Sequence, residues 1–137
     1  MKTTREEILI LTTGGTIDKV YFDAKSDYEV GNTIVGKILE EAHTTYPYRI
    51  VELMQKDSLN LDDVDRALIL QTIQEQHNEK VLITHGSDTI IDTATYLESL
   101  TDKTIVLTGS LAPARFALTD AMFNIGMAMA AIQLLDH

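Results

Sequence analysis

Residues 8–16 read ILILTTGGT, and this stretch decides the fold. It opens with four branched aliphatic residues in a row. Such a run is too short for a globular helix and suits a β-strand that is buried on both faces. Gly14 and Gly15 follow and allow a sharp turn with close backbone approach to a ligand. We therefore expect a central strand that ends in a glycine turn carrying the hydroxyl group of Thr16.

The rest of the chain repeats this pattern. Three further short runs rich in β-branched residues are Tyr48–Leu53, Lys80–Thr84 and Thr104–Thr108. Longer segments with helical spacing of apolar residues begin near Ile34, Asp62, Ile90 and Thr119. This alternation predicts an α/β fold with three layers, in which a mostly parallel sheet carries helices on both faces, as in flavodoxin or Rossmann-like proteins. Ligands of such sheets bind beyond the carboxyl ends of the strands.

Composition narrows the class of protein. A length of 137 residues is typical of a single domain. The chain has 21 acidic and 11 basic residues and a net charge of −10. This charge argues against nucleic acid as the main partner and against an anionic membrane surface. The absence of cysteine excludes a disulfide scaffold and a thiol nucleophile. The start MKTTREEILI lacks the pattern of a signal peptide, so we expect a cytoplasmic protein.

Glycine and hydroxyl residues follow three of the four predicted strands. A turn with a helix cap explains any one of these segments, but several converging on one sheet edge indicate a site. They match neither the phosphate loop nor the dinucleotide fingerprint. The three segments are Thr12–Thr16, Thr84–Thr89 and Thr108–Ser110.

A hydroxyl nucleophile needs a group that takes its proton. His85 is one candidate, but it follows a buried strand directly, which favours a structural role. A tyrosine can accept the proton when positive charge lies nearby. Asp88 either complements a helix dipole or pairs with a cationic substrate group. The backbone N–H groups of the Gly15–Thr16 and Gly86–Ser87 turns are natural donors to an oxyanion.

Two further segments stand out. The stretch IDKVYFDAKSDYEV at residues 17–30 is too long for a standard connection, and we interpret it as an active-site lid or as a solvated surface loop. The last helix, from Asp120 to Leu135, is apolar on nearly every face. It forms either a wide core face with some exposed alanine or a subunit interface, and we expect a homo-oligomer through this helix.

The motifs TTGGTID, KSDYEVG, DSLNL, ITHGSDT and VLTGSLAP occur in an order and spacing that resemble those of bacterial-type L-asparaginases. The resemblance spans the whole chain but covers only the N-terminal domain of that family. Short, single-domain members of the Rhodospirillum type are similar in their opening segment. The resemblance implies that residues 1–137 form a single asparaginase-like catalytic domain, with the family's C-terminal domain absent.

The resemblance also implies a reaction, the hydrolysis of L-asparagine to L-aspartate and ammonia without cofactor or metal. In it, Thr16 is the nucleophile that forms an acyl-enzyme. Tyr28 assists Thr16, and Tyr21 on the same segment is its rival. Gly15 and Gly86 allow close approach of the backbone to the substrate.

The remaining implied residues recognise the amino-acid part of the substrate. Ser58, with Asp57 beside it, matches the group that binds the α-carboxylate. Asp88 matches the aspartate that holds the α-ammonium. Ser87 stands where the family has its second catalytic threonine, and it also belongs to the substrate-binding set.

Two departures from the family pattern leave alternatives open. Ser87 keeps the hydroxyl but lacks the methyl group that restricts χ1. The family's catalytic lysine lies beyond the stretch that matches this chain, and Lys19 and Lys25 are the nearby lysines that could supply positive charge. The alternatives are a catalytically weak protein that binds aspartate or asparagine, and an amidase acting on glutamine or a related amide.

Overall fold

A computed structural model of the chain describes residues 6–22 and 27–136, apart from the side chains of Phe22 and Asp27. These residues form six strands and four helices, together with short 3-10 turns after β1 and β4 at Thr16–Asp18 and Ser58–Asn60. In chain order the elements are β1 (Ile8–Gly14), β2 (Lys19–Phe22), β3 (Asp27–Val30), α1 (Val35–Glu41), β4 (Tyr48–Lys56), α2 (Asp63–Glu75), β5 (Lys80–Thr84), α3 (Ile90–Leu97), β6 (Thr104–Thr108) and α4 (Ala121–Leu134).

The four strands predicted from the apolar runs form one parallel sheet in the order β4–β1–β5–β6. β1 lies inside the sheet, and all seven of its residues are buried. From β1 the chain moves outward to β4 and then crosses to β5 and β6 on the other side. Such a reversal of direction leaves a crevice at the carboxyl ends of the strands, where ligands of open α/β sheets bind.

Alternation along β1 divides the core into two layers of side chains. Ile8 and Ile10 pack with α1 and α4 on one face of the sheet. Leu9 and Leu11 pack with α2 and α3 on the other face. Full burial stabilises each such side chain by roughly 1.5–3 kcal/mol. The predicted three-layer α/β fold is therefore confirmed.

The helix starts also follow from the sequence. The Asp62 carboxylate accepts a hydrogen bond from the Asp65 N–H at 3.0 Å, and the Asp65 carboxylate accepts one from the Asp62 N–H at 3.1 Å. This reciprocal capping box satisfies two N–H groups at the start of α2. The helix therefore begins where the sequence predicts it, near Asp62.

Residues 17–30 contain a hairpin rather than the expected loop. β2 and β3 pair in antiparallel fashion, with Tyr21 directly opposite Tyr28. Because opposite aromatic residues stabilise a strand pair by about 0.2–1 kcal/mol, this pairing supports two strands that are only four residues long. β4 likewise runs three residues past the predicted Leu53, to Lys56, and so reaches the turn after β1.

α4 packs against the sheet through Ile125, Ala128 and Ile132, and its outer face is apolar as well. Phe123 on that outer face is 72% exposed. The outer face also includes Met122, Met127 and Leu134. No helix among the described residues is long and apolar enough to span a membrane.

Candidate active site

Three turns meet at the carboxyl edge of the sheet, following β1, β4 and β5. The N–H of Gly15 donates to the carbonyl of Lys56 at 2.9 Å. A Cβ atom on Gly15 would lie 2.5 Å from the backbone nitrogen of Gly86, and one on Gly86 would lie 2.7 Å from the Oγ atom of Ser58. Larger residues at Gly15 or Gly86 would push the turns apart. Two of the predicted glycine and hydroxyl segments, Thr12–Thr16 and Thr84–Thr89, therefore lie against each other, and the Ser58 turn after β4 joins them.

Gly14 and Gly15 give the first turn its shape. Their φ angles are +103° and +85°, in the region that residues with a side chain rarely adopt. A Cβ atom on Gly14 would also lie 2.6 Å from the backbone nitrogen of Lys56. The chain can therefore leave β1 sharply and place Thr16, which is half-buried, at the start of the 3-10 turn.

Ser58 supplies a buried hydroxyl group to this edge of the sheet. Its side chain is 1% exposed, and its Oγ atom has no hydrogen bond to any described residue. The turn that holds it is fixed from two sides. The Asp57 carboxylate accepts a hydrogen bond from the Leu59 N–H at 3.1 Å, and the Thr89 hydroxyl donates to the Ser58 carbonyl at 3.0 Å. An unpartnered buried hydroxyl is unusual in a native structure, and a bound water, ion or ligand is one explanation for it.

Ser87 and Asp88 lie at the exposed start of α3. Ser87 lines a cavity of about 280 Å³ together with Thr108, Ser110 and Asp120. Within the described part of the chain, no ion pair involves the Asp88 carboxylate. Ser110 has a structural role, because its hydroxyl donates to the Ala112 carbonyl at 2.6 Å.

The hairpin places both candidate tyrosines in one aromatic cluster. The Tyr21 and Tyr28 rings lie edge to face at 5.3 Å, and Tyr28 meets the Phe116 ring in the same way at 5.3 Å. Tyr28 is 44% exposed. Lys19, at the base of the hairpin, forms an ion pair with Asp57 at 3.6 Å, whereas Lys25 lies outside the described residues. The predicted lid is thus joined to the Ser58 turn at its base.

Asp18 fixes this base and was missed by the sequence analysis. Its buried carboxylate accepts hydrogen bonds from the Ile34 N–H at 2.9 Å and the Thr33 hydroxyl at 3.3 Å. The Arg115 guanidinium donates to the Asp18 carbonyl at 3.2 Å. Burial outweighs these favourable contacts and raises the pKa of the Asp18 carboxyl from 3.8 to about 6. The available signal was its position, two residues after Thr16.

His85 is fully buried behind the site. One ring nitrogen contacts the Gly86 carbonyl and the other contacts the Thr93 hydroxyl. Burial, with a contribution from the Arg66 charge, lowers the pKa of the His85 ring. These contacts support the structural role that its position predicts. The contacts of Arg66 and Thr93 behind the site were not predicted. The sequence did offer one signal, because the charged Arg66 lies among the apolar residues of α2.

Among the described residues, no three acidic or histidine side chains are grouped so as to hold a metal ion. The site therefore offers hydroxyl groups, carboxylates and backbone N–H groups. It brings Gly15, Ser58 and Gly86 into contact and places Thr16 and Ser87 beside them. Such a set suits recognition of a small polar molecule and attack by an oxygen nucleophile.

Comparison with known proteins gives consistent matches. Residues 7–135 match the family model described as asparaginase, N-terminal. A glutaminase-asparaginase of Pseudomonas fluorescens is 28% identical over 140 residues, covering 94% of this chain and 39% of that protein. The crystal structure of L-asparaginase I from Vibrio cholerae aligns with a TM-score of 0.77 at 27% identity, over 93% of this chain and 41% of that one. A probable cytoplasmic L-asparaginase from Campylobacter jejuni aligns with a TM-score of 0.75 at 27% identity, over 92% and 39% of the two chains. The chain thus spans about two fifths of the length of these relatives.

Proposed function

The chain belongs to the asparaginase family, and we propose on that premise that it hydrolyses the side-chain amide of L-asparagine to L-aspartate and ammonia through a threonine acyl-enzyme. The observation that carries the proposal is the contact of three glycine and hydroxyl turns around Gly86. Residues 1–137 are proposed to act as one catalytic domain.

Recognition of the substrate uses its charged α-groups. The α-carboxylate binds at Ser58, whose buried hydroxyl is free to donate, and the Lys19 charge offsets that of the neighbouring Asp57. The α-ammonium pairs with Asp88. Fixing both groups places the side-chain amide above the Gly15 turn. Because the substrate is already oriented when bound, the reaction step no longer carries much of the entropy cost.

The chemistry then proceeds in two steps. The Thr16 oxygen bonds to the amide carbon while Tyr28, or its neighbour Tyr21, takes the Thr16 proton and delivers it to the leaving nitrogen. The C–N bond breaks and ammonia leaves. Water then attacks the ester, which releases L-aspartate and restores the Thr16 hydroxyl. The backbone N–H groups of Thr16 and Ser87 stabilise the negative oxygen that forms in each step.

Glutamine is the second candidate substrate, because the Pseudomonas fluorescens relative is named for both amides. One additional methylene changes transition-state binding by only ~1–3 kcal/mol. A pocket of this kind therefore discriminates moderately between the two amides, and rates on both substrates measure the preference.

We also propose a homo-oligomer that assembles through the apolar outer face of α4. A cytoplasmic location is supported by the name of the Campylobacter jejuni relative. Nucleic acid and membrane are not proposed as partners, in keeping with the net charge of −10.

Ammonia release from L-asparagine by the purified chain tests the proposed function. We expect turnover by the wild-type chain, loss of at least about a thousandfold in Thr16→Ala, and retention in Thr95→Ala, which changes an exposed threonine of α3. Full activity of Thr16→Ala would contradict the assignment of the nucleophile. Tight binding of L-aspartate without turnover of either amide would favour the alternative of a binding protein.

A further inference from the structure

A series of four buried groups, joined by hydrogen bonds, links α2 to the turn after β5. The Arg66 Nε atom lies 3.0 Å from the Thr93 Oγ atom. The same oxygen lies 2.7 Å from Nε2 of His85, and Nδ1 of His85 lies 2.7 Å from the Gly86 carbonyl oxygen. His85 and Thr93 are fully buried, and Arg66 is 7% exposed. This hydrogen-bonded series ends at the peptide bond between Gly86 and Ser87.

The chemistry of these groups assigns each proton. A carbonyl oxygen only accepts, so the hydrogen of the His85 ring is on Nδ1. A guanidinium only donates, so the Thr93 oxygen accepts from Arg66. Burial lowers the pKa of the His85 ring, so we assign the neutral Nδ1–H tautomer, whose bare Nε2 accepts the Thr93 proton. Asp63 completes the set, because its carboxylate accepts a hydrogen bond from Arg66 at 3.1 Å.

This tautomer has a consequence for the active site. The C=O of one residue and the N–H of the next point in opposite directions across a trans peptide bond, and the described chain has no cis peptide bond. Because His85 draws the Gly86 carbonyl toward the buried side, the Ser87 N–H points to the opposite side, toward the exposed start of α3. No described residue accepts a hydrogen bond from that N–H.

We propose that His85, Thr93 and Arg66 form a positioning relay that holds the Gly86–Ser87 peptide so that the Ser87 N–H faces the cleft as the donor to the oxyanion. The relay rests on the proposed amide hydrolysis for its catalytic effect. Its tautomer and peptide orientation rest on the structure alone. The three residues touch no substrate and act through the peptide they orient.

The relay is rigid because each member is satisfied by its neighbours. Removing the Thr93 hydroxyl leaves the Arg66 Nε–H and the His85 Nε2 atom without their common partner. Burial makes such a loss costly, so the ring is expected to rotate or change tautomer. The Gly86 carbonyl then loses its donor, and the Ser87 N–H loses its fixed direction.

Thr93→Val, Thr93→Ser and the exposed control Thr95→Val test the relay in the full chain. In hydrolysis of L-asparagine we expect Thr93→Val to lower kcat by at least about tenfold with KM changed less than threefold, because an oxyanion donor acts in the transition state. Thr93→Ser should recover most of kcat, and Thr95→Val should match the wild type. Equal kcat in Thr93→Val and wild type, or a loss that Thr93→Ser does not recover, would overturn the proposal.

A second measurement does not depend on turnover. Nitrogen-15 NMR of the His85 ring should show a protonated Nδ1 and an unprotonated Nε2 in the wild type, and a changed pattern in Thr93→Val. L-aspartate should shift the Ser87 amide resonance in the wild type and much less in Thr93→Val. A protonated Nε2 with a bare Nδ1 in the wild type would overturn the relay. If these NMR results hold while no amide is turned over, the proposed hydrolysis fails and the relay stands.

Discussion

Replacing Asp18 with asparagine should stabilise the chain at neutral pH and remove part of its pH dependence. The Asp18 carboxyl is buried, and its pKa is raised from 3.8 to about 6 chiefly by that burial. This gap corresponds to roughly 3 kcal/mol, at about 1.4 kcal/mol for each pH unit. Asparagine is uncharged at every pH, and its side-chain oxygen can still accept the hydrogen bond from the Ile34 N–H.

The sign follows from proton binding. The native chain binds the Asp18 proton more tightly than the unfolded chain does. The stabilisation from this proton is therefore complete below pH 3.8, and it is lost as the pH rises through about 6. The free energy of unfolding of Asp18→Asn should therefore exceed that of the wild type at pH 8 by up to roughly 3 kcal/mol. The excess should shrink steadily toward pH 4.

Urea denaturation between pH 4 and pH 8 measures the difference, with the exposed Asp102→Asn as the matched control. The control should follow the wild type at every pH. A difference between Asp18→Asn and wild type that stays constant with pH would refute the reasoning, and so would an Asp18→Asn chain less stable at pH 8.

Other variants test the packing, the binding site and the oligomer. Gly86→Ala places a methyl group 2.7 Å from the Ser58 Oγ atom, so calorimetry should show lost L-aspartate binding and a folding cost of about 1–3 kcal/mol; unchanged binding would contradict the close contact. Ser58→Ala should weaken L-aspartate binding at least about tenfold while leaving the unfolding midpoint unchanged or higher, because it removes an unpartnered buried hydroxyl; equal affinity would remove Ser58 from the site. Phe123→Glu changes the exposed face of α4 and should reduce the mass measured by light scattering while the helical signal in circular dichroism is kept; an unchanged oligomer would exclude that face as the interface.

The sequence predicts the sheet well because one physical rule governs it. The run at the start of β1 is apolar at every position, and only a strand covered on both faces suits such a pattern. The helix cap at Asp62 is equally local, since both partners lie within four residues. The glycines after β1 and β5 predict a close approach of the backbone to a ligand, and in the structure Gly15 and Gly86 lie against each other.

Features that depend on distant partners were harder to predict. The hairpin pairs Tyr21 with Tyr28, and Tyr28 also contacts Phe116, which lies far along the chain. The pKa of Asp18 depends on burial by elements that follow it. Arg66 is buried although arginine is usually exposed, because its guanidinium donates to Thr93 and Asp63.

Close contacts hold the turns of the site and the base of the hairpin together. The Gly15, Ser58 and Gly86 turns are locked together by contacts that leave no room for a Cβ atom. The hairpin with Tyr21 and Tyr28 is attached at its base by Asp18 and by the Lys19 ion pair. Turns held in place beside an attached hairpin suit a reaction that admits a substrate and limits the access of water to it.

We propose that the three turns form a site for an amino acid with a side-chain carbonyl group. A crystal of the chain soaked with L-aspartate tests it most directly. We predict electron density between Thr16, Ser58 and Asp88, with the α-carboxylate at Ser58, the α-ammonium at Asp88 and the side-chain carboxylate within reach of the Thr16 hydroxyl. Density for L-aspartate elsewhere on the chain, with this crevice left unoccupied at saturating ligand, would contradict the account.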